Sequence, residues 1–109
     1  MTRKHAAAKL MEWVKRHPRI RADASKLKTK GGKCESMLFS LVEYSEDGAT
    51  PCTTLCYEVL PPGTSEEAGW REIVKRACSG RLTVDQFDSV GLGGCSSVEE
   101  FVLKLEIAG

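Results

Sequence analysis

The chain has 109 residues, 41% hydrophobic and 28% charged, which is the size and composition of one globular domain. These values exclude a disordered, collagen-like or coiled-coil chain, and no stretch approaches the ~18 apolar residues that a transmembrane helix needs. The net charge of +1 conceals an asymmetry: from Met1 to Lys33 eleven Lys/Arg face only Glu12 and Asp23, a net of +9, while the other 76 residues carry five basic and thirteen acidic side chains, a net of −8.

Ala6, Leu10, Trp13, Val14 and His17 recur at helical spacing, so the first element is an amphipathic helix. Thr2 can cap its start, and Pro18 ends it because the residue before a proline is pushed out of the α region. Lys4, Lys9, Lys15 and Arg16 lie off the apolar stripe and give the helix a basic outer surface. From Arg19 to Lys33 apolar residues become sparse among six cations. This segment reads as a short helix over Ala22 to Leu27 or as an irregular basic arm, with Gly31-Gly32 as its joint. The chain thus divides at that joint, within a single domain over 1–109, into a basic helix and arm (1–33) and an acidic α+β body (34–109).

Thr53 to Leu60 is rich in β-branched and aromatic residues and stops at Pro61-Pro62, which marks a strand. Met37 to Tyr44, joined to it through Asp47-Gly48, is the expected hairpin partner. Cys34, Met37, Leu38, Leu41 and Val42 also fit helical spacing, so a helix over 34–45 stays open. Thr64 and Glu67 form a capping box for a helix with Trp70, Ile73, Val74, Ala77 and Cys78 on one face, stopped by Gly80. Thr83 to Gln86 repeats the signature ahead of a short helical turn ended by Gly91. Over Ser96 to Ala108, Ser97 and Glu100 point to a helix, although Phe101, Leu103, Leu105 and Ile107 alternate as in a strand. The expected core is Leu10, Trp13, Val14, Leu38, Leu41, Leu55, Tyr57, Val59, Trp70, Ile73, Val74, Phe87, Phe101, Val102 and Leu105.

The expected fold is therefore a small α+β domain: a basic amphipathic helix, a β-hairpin, then two or three helices. The alternative is mostly helical. Residues Lys9 to Gly48 resemble a winged helix-turn-helix, with Lys9 to His17 as first helix, a turn after His17-Pro18, a short second helix ending at Leu27 and a third over 34–45. The resemblance implies Thr53 to Leu60 in the wing and DNA as partner. The stretch departs from that family at Lys28-Thr29-Lys30-Gly31-Gly32, and Glu35 and Glu43 would sit on the recognition helix, where phosphate repels them.

No apolar signal segment follows the first basic residues, and the cysteines (Cys34, Cys52, Cys56, Cys78, Cys95) are odd in number and scattered, so reduced thiols in the cytoplasm are expected. Cys52 and Cys56 lack the two-residue spacing of a zinc knuckle, and no cofactor or metal is expected. Cys95, after Gly91-Leu92-Gly93-Gly94 and before a helix, could be an activated thiol, but His5 and His17, the only imidazoles, lie far away in sequence. The carboxylate pairs Glu66/Glu67, Asp85/Asp88 and Glu99/Glu100 fit helix N-terminal preference better than acid–base chemistry.

Clustered cations neutralise phosphates and release counterions. The leading expectation is a non-enzymatic nucleic-acid-binding or regulatory protein using Lys15, Arg16, Arg19, Arg21, Lys26, Lys28, Lys30 and Lys33 on DNA or RNA. The alternative is a protein-interaction adaptor or inhibitor that meets an acidic protein surface, or a homo-oligomer pairing basic with acidic faces. No membrane partner is expected.

Overall fold

The computed structural model describes residues 2–28, 31–32 and 35–108. It is an α+β domain in which three helices cover one face of a three-stranded antiparallel sheet of order β1-β2-β3.

Helix α1, Arg3–Arg16, begins where the Thr2 hydroxyl accepts the His5 N–H at 3.1 Å, and ends at His17 ahead of Pro18. The chain then turns into β1, Ile20–Lys28. Neither reading of Ala22 to Leu27 survives: the segment is neither a helix nor irregular. Its composition is poor for a strand, but Ile20, Ala22 and Ala24 alternate with Arg21, Asp23 and Ser25. Pairing with β2, Glu35–Tyr44, turns the apolar set onto the core and overrides propensity. Residues 35–44 are accordingly a strand, and the helix-turn-helix alternative, which needs a helix there, is excluded.

The expected hairpin joins β2 to β3, Pro51–Leu60, through a turn in which Gly48 takes φ +73°. Between Leu41 and Val42 the register slips, so that Leu55 is an extra residue opposite β2. This bulge corrects the expected core. Leu55 and Cys56 are both fully buried, after which Glu58 and Leu60 point inward, while Tyr57 (37% exposed) and Val59 (47%) turn to the uncovered face. Leu38, the cross-strand neighbour of Val59, shares that face.

Helix α2, Glu66–Cys78, is capped by Ser65, which accepts the Ala68 N–H at 3.2 Å. The expected Thr64 instead donates its hydroxyl to Pro61 O at 2.6 Å. The helix approaches β2 closely at Gly69, where a Cβ would lie 2.2 Å from the Phe39 ring, and Trp70 meets that ring edge-on. After Gly80 the chain returns to the sheet through a Tyr57–Thr83 bridge, so Thr83 extends the sheet rather than capping a helix. The following 3-10 turn, Phe87–Val90, has the Asp85 carboxylate on the Phe87 N–H and stops at Gly91, φ +80°. Helix α3, Val98–Ala108, completes the layer, with Ser97 accepting the Glu100 N–H and Glu100 reaching back to Ser96. No helix among the described residues is long and apolar enough to cross a membrane.

Candidate nucleic-acid interface

The sequence order of the cations along one strand separates them in space. Arg19 and Arg21 converge on the corner where β1 meets the end of β2. Arg19 Nε donates to Tyr44 O at 2.8 Å; Arg21 Nη2 donates to Gly48 O at 2.8 Å, and its guanidinium stacks 4.1 Å from the Tyr44 ring centre. Both arginines thus tie the corner together. Lys15 and Arg16 are exposed on the last turn of α1, close by in sequence, where cations also complement the helix dipole.

Lys26 and Lys28 lie at the far end of β1, about 17 and 23 Å from Arg21 at ~3.3 Å per residue, and on the opposite face of the strand. Ser25, Lys26, Leu27 and Lys28 are all exposed, whichever face they occupy. Among the described residues β3 pairs with β2 as far as Met37, so beyond it Leu27 and Lys28 with Ser36 and Glu35 form a short two-stranded ribbon. Lys26 sits 3.8 Å from Glu35 in an exposed, weakly held pair; Lys28 has no ion-pair partner among the described residues. Lys30 and Lys33, expected in the same interface, lie outside the described residues. The six described residues of the expected eight therefore form no single patch: four belong to the corner and the end of α1, and two to the ribbon.

The near-cancellation of +9 and −8 is not a separation of two charged halves. Arg71 and Lys75 of α2, from the acidic part, stand beside Arg3 and Lys4 of α1. Lys4 approaches Glu67 to 3.6 Å, Lys9 approaches Glu12 to 3.5 Å and Lys104 approaches Glu100 to 3.9 Å, all exposed or half-exposed pairs. Sequence reasoning missed the Arg71/Lys75 pair, whose signal was the four-residue spacing that places both on one helical face.

It also missed the one ion pair among the described residues that has a buried member, Glu58 with half-exposed Arg76. Glu58 is 2% exposed on the helix-covered face of β3. Its carboxylate accepts from the Arg76 guanidinium, from the Thr83 N–H at 2.8 Å and from the Thr83 hydroxyl at 3.3 Å. Arg76 holds Glu72 at 3.1 Å with its other edge. The carboxylate thus takes three donors and fixes α2 and the 81–86 segment to the sheet; it has the chemistry of a structural clamp.

Three of the described thiols are held against ionisation. Burial pushes Cys56 up to about 12, assisted by the neighbouring Glu58 charge. Burial raises Cys78 and Cys95 as well. Cys95 is buried and donates to Leu92 O at 3.4 Å, the reverse of an activated thiol at a helix start. The glycine-rich connector before it is anchored by fully buried Leu92 and by the Lys104 ammonium on Gly93 O. Cys52 is exposed and Cys56 buried, and no cluster of three or more His, Cys, Asp or Glu suited to a metal occurs among the described residues.

No family model, no curated protein and no solved structure matches the chain.

Proposed function

We propose that this protein binds duplex nucleic acid through its phosphate backbone, with the β1–β2 ribbon as the principal contact. The observation that carries this reading is the exposure of Ser25 to Lys28 on both faces of a paired strand, with Lys26 and Lys28 on it and Lys30 and Lys33 in the intervening sequence. A two-stranded ribbon fits the ~12 Å major groove of B-form DNA. Lysines on flexible stems neutralise phosphates as point charges without reading base edges, so the binding is sequence-independent. Arg19 and Arg21, each bonded through one nitrogen within the corner, add positive field and keep further N–H donors. The test is anisotropy titration of a labelled duplex with wild type and with the combined Lys26→Gln, Lys28→Gln, Lys30→Gln, Lys33→Gln variant. The account expects most of the low-salt affinity to vanish, with stability changed by no more than about 0.5 kcal/mol. Equal affinity of the two proteins would refute it.

The uncovered sheet face favours a second reading, self-association. Leu27, Tyr57 and Val59 are exposed there beside half-buried Leu38 and Val42. Arg21 and Asp23 are its charges, of opposite sign, so a second copy meets no electrostatic barrier. Such a dimer persists at high salt in sedimentation and is lost in Val59→Lys, whereas a dimer pairing basic with acidic faces dissociates as salt rises.

A further inference from the structure

An open concavity lies away from the ribbon, between the start of α1 and the outer side of α2. It measures about 710 Å³ and is lined by Thr2, Arg3, Lys4, Ala68, Arg71, Glu72 and Lys75. Of the four cations, only Lys4 has a carboxylate partner among the described residues. The single acid in the wall, Glu72, is bonded to Arg76 at 3.1 Å. Arg3, Arg71 and Lys75 therefore converge on one groove with their charge uncompensated.

This arrangement works against stability in two independent ways. Arg71 and Lys75 are like charges at i, i+4, which repel along a helix. Arg3 and Lys4 occupy the first turn of α1, where the backbone field favours anions; α2 and α3 carry Glu66/Glu67 and Glu99/Glu100 at the same positions, and α1 carries none. A bound dianion reverses both terms at once. Two guanidiniums and an ammonium from two helices suit a phosphate group, whose oxygens accept the planar fork of arginine in pairs.

The geometry points to the α1–α2 groove as a binding site for a phosphate-bearing ligand, held by Arg3, Arg71 and Lys75. The phosphate can belong to a nucleic-acid backbone or to a free phosphorylated small molecule. The site does not depend on the ribbon, which shares none of these residues.

The probe is inorganic tripolyphosphate, titrated calorimetrically at low salt into wild type, into Arg71→Gln/Lys75→Gln and into Lys26→Gln/Lys28→Gln. Wild type and the ribbon variant should bind one equivalent with the same Kd. The groove variant should bind about tenfold or more weakly, and without ligand it should melt no lower than wild type, because like-charge repulsion is relieved. Arg3→Gln, in a different helix, should weaken binding in the same direction. Displacement of tripolyphosphate by a duplex identifies the ligand as a backbone phosphate; simultaneous binding of both identifies a free phosphorylated compound. Either result supports the groove. Absence of saturable one-to-one binding, or wild-type affinity in the groove variant, overturns it. Failure of the ribbon reading looks different: the duplex does not bind, or binds the ribbon variant as tightly as wild type, while tripolyphosphate still binds the groove.

Discussion

Glu58 and its partners set the stakes at the level of single residues. Removing Arg76 leaves a carboxylate that is 2% exposed without its counter-charge. A fully buried pair broken on one side costs about 3–5 kcal/mol; with Arg76 itself 31% exposed and Thr83 still bonded, the loss falls to about 2–3 kcal/mol. Urea unfolding of Arg76→Ala should show a loss of that size, and a loss under about 1 kcal/mol would mean that the pair is solvated. The thiols supply a second residue-scale expectation. Among the described cysteines only Cys52 is exposed, so native alkylation should modify Cys52 and spare Cys56, Cys78 and Cys95. Because Cys56 is held near 12 against an ordinary value of 9.0, the folded state retains a proton that the unfolded chain releases. Its contribution is fully present below pH 9.0 and is lost as pH rises from there toward 12, at up to ~1.4 kcal/mol per pH unit. Cys56→Ala should flatten that alkaline slope even though it lowers stability overall.

At the level of elements, α2 illustrates packing prevailing over propensity. Alanine at position 69 would favour the helix by about 1 kcal/mol, yet its Cβ would lie 2.2 Å from Phe39. Gly69→Ala should therefore lower Tm, and a rise would show that the sheet yields. The elements best read from sequence were those with local signals: Thr2 and Pro18 around α1, Asp47-Gly48 in the hairpin, the Trp70–Val74 face of α2, Gly91 after the 3-10 turn, and Ser97 with Glu100 at α3. Those misread depended on partners distant in sequence. β1 becomes a strand only because β2 pairs with it. The inward set of β3 shifts because Leu55 bulges, which moves Tyr57 and Val59 to the open face and Glu58 to the buried one. The candidate interface was legible as a count of cations but not as a surface, since strand alternation and a separation of about 17–23 Å divide what is contiguous in the chain.

For the whole molecule, the balance of +9 against −8 along the sequence resolves into three basic regions: the corner at Arg19 and Arg21, the ribbon from Lys26 outward, and the α1–α2 groove to which the acidic part contributes Arg71 and Lys75. A protein of nearly zero net charge can thus present strong local positive fields. The most direct test of the account is the salt dependence of duplex binding, as log affinity against log salt from about 50 to 200 mM. Wild type should bind at the low end and fall steeply along a straight line. Neutralising Lys26, Lys28, Lys30 and Lys33 should make the slope shallower by roughly 0.9 for each lost phosphate contact. No binding at low salt, or an unchanged slope in the variant, would contradict the ribbon as the nucleic-acid contact.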